Sequence, residues 1–462
     1  MSAPTATLES LTATVVEKVA TLSHRLGTEG IPKPTFKEAS HAGYTGESTA
    51  LRKARYDLAR AAKSLLLLAQ GPEDTAQLLM WSAIDAANMD VLVRFKFFNA
   101  VPLSGKGMNG TDGTNGTNGT QEGISAADLS AKVDLPVDTT ERMIRFAIGN
   151  GLFTEPVPGV FAHSAASAAL ARSPELCAVG RMATGPLTSM AVRVGDALEL
   201  QQAGRNGVSK ALFSGQSELG PEDPAFCLAF PGFSDPWAMT HANKEFAEVG
   251  HAFMRDQGST SRMRIDHLLN ARDWSDCADS RIIDVGGSLG HASIALAAAL
   301  PRATFVVQDA NIVALDQGRA LVSKDLPRLA ARITFEQHDF FTPMPADAAG
   351  DVFLFQWILH DWADTDAVRI LRALVPGLKP GARVLIAEAV RPAPPAGLAN
   401  TLDEKLVLFQ DMTMLAAHNA RERSVADFVR LFGEADARFH HVATGGGVDG
   451  AYRSLLEFEF RA

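Results

Sequence analysis

Hydrophobic and polar positions divide the chain into three parts. In the first, apolar residues recur at helical spacing. Leu8–Leu26 is amphipathic, Leu51–Gln70 reads as a helix stopped at Gly71-Pro72, and Asp74–Ala87 reads as another. Residues 124–165 are shorter-ranged: Ile124–Val133 and Asp138–Gly149 predict two helices, and Leu152–Phe161, with Pro156, Pro158 and Gly159, a hairpin. Residues 175–275 are mostly helical in pattern, interrupted by a Gly/Pro/Phe-rich stretch, Phe213–Pro236. From residue 281 strands alternate with helices. Strands are predicted at Arg281–Gly286, Thr304–Gln308, Arg332–Glu336, Asp351–Ile358, Ala382–Ala387, Arg438–Ala443 and Tyr452–Glu459. Helices are predicted at Gly290–Leu300, Asp364–Leu378, Thr401–Ala417 and Val425–Glu434, and Ala310–Val322 and Lys324–Arg332 read as helical or connecting. That alternation predicts an α/β, doubly wound, parallel sheet whose ligands sit at the carboxyl ends of the strands.

Composition narrows the function. The net charge is -10, and the helix-turn-helix at 124–165, which resembles a winged helix, has two arginines against two acids in its second helix. A nucleic-acid binder presents a basic face, so none is expected. No apolar run approaches the roughly 20 residues that span a bilayer. The first residues lack the basic start and apolar core of a signal peptide, which points to a cytoplasmic protein with no membrane partner. Three widely spaced cysteines, Cys177, Cys227 and Cys277, read as reduced thiols. Residues 108–123, MNGTDGTNGTNGTQEG, have no core-forming side chains and are expected to form a disordered loop. Its sequons at Asn109, Asn115 and Asn118 are not expected to carry glycans.

Chemistry concentrates at the predicted strand ends. IIDVGGSLGHASIALAAALP places Asp284 before a turn made of Gly286, Gly287 and Gly290. The dinucleotide pattern G-x-G-x-x-G fails, because Ser288 and His291 stand where glycines are needed. An acid at this turn repels a pyrophosphate and suits a ligand with an ammonium group, such as S-adenosylmethionine. Asp309, ending TFVVQD, suits two ribose hydroxyls. Asp339-Phe340, ending FEQHDF, suits an adenine amino group and its ring face.

These motifs, with W357-ILHDW-ADTD, RVLIAE388 and HNARE422-RS, resemble the S-adenosylmethionine-dependent O-methyltransferases of the plant caffeate and fungal polyketide type. The resemblance covers about residues 281–462. It implies a Rossmann-like methyltransferase domain at 276–462. It also implies a helical, winged-helix-like dimerisation domain at 1–175, a helical linker at 176–275 that contributes to the substrate pocket, and a homodimer. His360 follows a strand at the carboxyl edge, beside the expected methyl group, and a histidine is a suitable base for a phenol. The resemblance supplies Glu388 and Glu422 as acids that hold the ring. It puts Trp362 near the adenine and Gln356 where the plant enzymes have a cofactor-contacting lysine. It matches Met414, His418 and Asn419 to the pocket-lining turn. Trp237, Met239 and Phe253 are further pocket candidates from the aromatic helical segment. Asp361 is expected to cap the next helix. No metal is expected.

The implied activity is O-methylation of a phenolic or enolic hydroxyl on a small aromatic or polyketide-like secondary metabolite. A second reading is a pericyclase or dehydratase that binds the same cofactor without methyl transfer. A third is a non-catalytic DNA-binding regulator, which the charge of the second helix opposes.

Overall fold

The structure, a computed structural model, describes the chain apart from residues 1–5, 41–43, 45–46, 105–122, 206–222, 245, 251–252, 254–264, 392–401 and 447–452. The loop expected at 108–123 lies, but for Gly123, outside the described residues, as do its sequons. Two compact units are distinguishable: Met1–Val192 with Pro236–Gln257, and Arg193–Asp235 with Gly258–Ala462. The segment 176–275, expected as a linker, is divided between them.

In the first unit, Leu8–Thr28 opens with a capping box in which Thr7 and Ser10 satisfy each other's backbone N–H. Thr49–Arg94 is helical except at Gly71, whose φ of 78° and ψ of 170° break it. Only glycine takes that conformation without strain, and Pro72 restarts the helix where no N–H is needed. The winged-helix layout is present. Helices Ala126–Val133 and Val137–Gly149 precede a hairpin, and strands β1 (Ile124–Ser125), β2 (Thr154–Val157) and β3 (Val160–Ala162) pair in the order β1-β3-β2. Phe97, Phe98, Leu129, Ile144, Phe153 and Phe161 fill its core. Arg145 is paired with Glu141 and Glu155, which leaves its guanidinium little free charge for phosphate.

The second unit is a seven-stranded sheet. Its strands are β4 (Arg281–Val285), β5 (Thr304–Asp309), β6 (Ile333–Gln337), β7 (Val352–Gln356), β8 (Arg383–Glu388), β9 (Phe439–Gly446) and β10 (Ser454–Phe460), in the order β6-β5-β4-β7-β8-β10-β9. Strands β4 to β8 are parallel. Of these, β4, β5, β7 and β8 are buried on both faces, hence the near-continuous apolar runs IIDV, FVVQ and VFLF, whereas the edge strand β6 buries Ile333 and Phe335 and exposes Thr334 and Glu336. Against the parallel sheet expected, β10 runs antiparallel to both β8 and β9. The link from Gly446 to Ser454 is too short for a helical crossover, so the pair is a hairpin. The strand expected to reach Ile358 stops at Gln356, because Trp357 turns into the left-handed region at φ 56°.

Candidate active site

At the carboxyl end of β4, Asp284 is buried, and burial pushes its carboxyl up to about 6 against the opposing hydrogen bond from Ser293. Ser293 Oγ donates to Asp284 Oδ2 at 2.7 Å. The turn that follows has no room for side chains. A Cβ on Gly287 would stand 2.7 Å from Asp284 Cγ, and one on Gly286, at φ 71°, 2.5 Å from Ile358 Cδ1. Gly290, at φ 80°, caps the helix His291–Ala299. Asp309 accepts from the backbone N–H of Ser288 at 3.0 Å and of Asn311 at 2.8 Å, which ties the end of β5 to the glycine turn. Asp339 accepts from the Phe341 N–H at 2.9 Å. The Phe340 and Phe341 rings meet Trp362 edge-on, at 5.9 and 4.7 Å between centroids. Trp362 therefore joins the aromatic group beside Asp339.

His360 stands on a short 3-10 turn, Leu359–Asp361, directly after β7, and is 6% exposed. Its Nδ1 lies 2.8 Å from Glu422 Oε1. The Gln410 side-chain amide is 3.1 Å from the same nitrogen. A carboxylate only accepts, so Nδ1 carries the hydrogen and donates it to Glu422, while Gln410 Nε2, itself a donor, lies beside the pair. Nε2 then faces Asp361, whose Oδ1 is 3.6 Å away, and that same oxygen is 3.8 Å from His418 Nε2. Burial alone would push the His360 pKa down, but Asp361, Glu422 and Glu388 outweigh it and raise it to about 10. His418, also mostly desolvated, goes the other way, to a lowered pKa.

Two roles differ from those expected. Glu388 makes no hydrogen bond to His360; its Oε1 accepts from the N–H groups of Ile358 and Leu359, at 3.1 and 2.6 Å, and so holds the backbone that carries the histidine. Asp361 does not cap the next helix. Asp364–Leu374 starts after Ala363 without a side-chain cap, and the Asp361 carboxylate faces the two imidazoles instead. Met414 and His418 lie on the helix Leu402–His418, and Asn419, at φ 52°, ends it. Gln410, Met414 and His418 are spaced by four and share one helix face, a signal readable in the sequence and missed there. Asn419 Oδ1 accepts from Gln201 Nε2 at 3.1 Å. Trp237 and Met239 lie on Pro236–Ala242 in the first unit, Met239 buried and Trp237 exposed; Phe253 is in that unit too.

Buried polar atoms without a hydrogen-bond partner gather along this edge. They belong to Gln308, His338, Gln356, Glu388, Glu422 and Arg453, each at or beside the end of a strand or in the turn that carries Glu422. The orphaned atoms of Gln308, His338 and Gln356, at the strand ends beside the glycine cradle, are what a polar, nucleoside-bearing ligand completes. The described residues hold no cluster suited to a metal ion.

Comparison with known proteins gives the family. Residues 221–438 match the model of the O-methyltransferase domain. The O-methyltransferase sol2 of Alternaria solani is 30% identical over 95% of this chain and 92% of its own length. The chain belongs to the S-adenosylmethionine-dependent O-methyltransferases. The chlorophenol O-methyltransferase of Trichoderma longibrachiatum is another relative of this O-methyltransferase, 29% identical over 93% of this chain and 85% of its own. Among solved structures, OxaC in complex with SAH and oxaline superposes with a TM-score of 0.66 at 18% identity, over 98% of this chain and all of that one. A pericyclic reaction enzyme shares the fold as well, with a TM-score of 0.65 at 17% identity over 97% of this chain and all of that one. The O-methyltransferase thus has a Rossmann-like catalytic domain, uses S-adenosylmethionine and is of the fungal secondary-metabolite type.

Proposed function

We propose that this enzyme methylates a phenolic or enolic hydroxyl of a small aromatic or polyketide-like metabolite, with His360 as general base. The observation that carries the reading is the buried His360–Glu422 pair at 2.8 Å, on the edge that bears the glycine turn. A phenol near pKa 10 is mostly neutral at pH 7, so its proton must be removed as the oxygen attacks. His360 Nε2 is the nitrogen left to take it. Glu422 fixes the tautomer and stabilises the imidazolium that forms, and Glu388 keeps the carrying turn in place.

The residues proposed to hold S-adenosylmethionine are Asp284, Gly286, Gly287, Gly290, Asp309, Asp339, Phe340, Gln356 and Trp362. When bound, it supplies an electrophilic methyl group on a cationic sulfur. His360, ringed by acids, keeps its proton to high pH, and a neighbouring cation makes it give that proton up more readily. Met414, His418 and Asn419 are proposed to line the acceptor site, joined by Gln410. Trp237 and Met239, from the aromatic helical segment, are proposed as further acceptor contacts. We also propose a homodimer, supported by the exposed apolar residues of the first unit.

The test incubates the purified enzyme with S-adenosylmethionine and a panel of phenols, read by mass spectrometry. A product heavier by one methylene is expected. His360→Ala should lower kcat by roughly 100- to 10,000-fold while cofactor binding stays. Undiminished turnover in that variant removes His360 as base. An isomeric or dehydrated product without added methyl would move the enzyme to the pericyclase or dehydratase reading.

A further inference from the structure

Arg453 is a buried cation that none of the foregoing uses. It immediately precedes β10 and is 6% exposed. Its Nε and Nη1 have no hydrogen-bond partner, and no carboxylate of the described residues forms an ion pair with it. Burial, with nothing to oppose it, pushes the guanidinium down to about 10. Its guanidinium lies over the Trp357 ring, with the guanidinium carbon 5.4 Å from the centroid. The same ring lies 5.2 Å from that of His360.

A buried guanidinium without a counter-ion is costly, and folds retain one where a ligand neutralises it. Ser454 pairs with Glu388, so Arg453 lies one residue further out along the carboxyl edge, on the side of β8 away from β7. The nucleoside-binding candidates lie on β4, β5 and β6, with β7 and β8 between. From β4 to β10 is three strand steps, on the order of 14 Å. Gln356 and Trp362, also named for the cofactor, lie nearer, on and just after β7. But the acceptor's hydroxyl must reach His360, whose ring and Arg453 share the Trp357 ring as a neighbour, and this favours an anion carried by the acceptor.

We propose that Arg453, seated on Trp357, recognises a carboxylate on the acceptor, so that the enzyme favours phenolic acids over their neutral esters. The inference rests on the methyl-transfer reading for the identity of the acceptor. The guanidinium's planar fork matches a carboxylate with two parallel N–H donors, and Nε with one Nη is the pair that does so.

The test uses equilibrium binding of 2,4-dihydroxybenzoate and of its methyl ester to the full chain loaded with S-adenosylhomocysteine. The acid should bind roughly tenfold or more tightly than the ester. Arg453→Gln should abolish that preference with ester affinity within about twofold, and Arg453→Lys, which keeps charge but loses the fork, should restore part of it. Equal affinities in the wild type, failure of the acid to bind, or equal losses for acid and ester in Arg453→Gln would each overturn the proposal. A selective loss of S-adenosylhomocysteine affinity would overturn it too, by assigning the carboxylate to the cofactor's amino acid. Methylation is scored separately: if neither the acid nor the ester is methylated while the acid preference in binding holds, the methyl-transfer reading fails and the anion site stands.

Discussion

Glu422 has two effects on His360 that oppose each other in a pH profile. It orients the ring for proton abstraction, and it holds on the ring a proton that the base must first lose. Deprotonation of a group whose pKa is raised to about 10 is favoured by rising pH, so kcat/KM should climb from neutral toward alkaline pH. Glu422→Gln keeps an acceptor for Nδ1–H but removes the charge. The climbing limb should then move to lower pH while the plateau kcat falls by roughly tenfold or more. A pH–rate series on both proteins checks this, and an unmoved limb would show that Glu422 does not set the histidine's charge. The linkage to stability has a definite sign. His360 binds its proton more tightly folded than unfolded, so its contribution is complete below pH 6.5 and is lost as pH rises toward about 10. Thermal unfolding between pH 6 and 10 should fall more steeply for the wild type than for His360→Gln.

The element that presents His360 is held from outside by Arg423. Its Nη1 donates to the Leu359 carbonyl at 2.6 Å and its Nη2 to that of Trp362 at 2.7 Å, so both ends of the 3-10 turn hang on one fully buried guanidinium. Asp364 accepts from Arg423, Arg421 and Arg430, which hold its carboxyl far below the usual carboxylate range despite partial burial. Asp364→Ala leaves Arg423 buried without its acid and should cost about 3 kcal/mol of stability, measured by denaturant unfolding. A cost under about 1 kcal/mol would show that the two carbonyls suffice. The sequence carried most of the architecture because buried parallel strands write continuous apolar runs, and the strand-end acids and His360 could be located from them. It did not carry Trp357 as a site residue: a left-handed backbone at a tryptophan has no compositional mark. Nor did it carry Arg453, whose charge becomes costly only once burial removes its water. Asp361 was misread because D-W-A-D has the form of a helix start, and the approach of His360 and His418 shows where its carboxylate is used.

At the scale of the molecule, the helical stretch 78–84 of the first unit leaves Leu78, Leu79, Met80, Trp81 and Ile84 exposed. A patch of that kind on a folded protein is normally covered, and the proposed dimer would cover it. Trp81→Glu should convert a dimeric sedimentation profile to a monomeric one, with methyl transfer reduced; an unchanged profile would exclude this helix from the interface. No helix among the described residues is long and apolar enough to cross a membrane. The sheet carries a different consequence. Its strands are not made in the order in which they lie: β9 occupies one edge, yet β10, which joins it to β8, is synthesised after it. A growing chain that has emerged as far as residue 446 has two open strand edges, on β8 and β9, and lacks Arg453. Such edges invite pairing with other chains. The nascent protein is thus exposed to aggregation on the ribosome until β10 drops between them, and truncation before Ser454 should yield insoluble protein rather than a weakened enzyme.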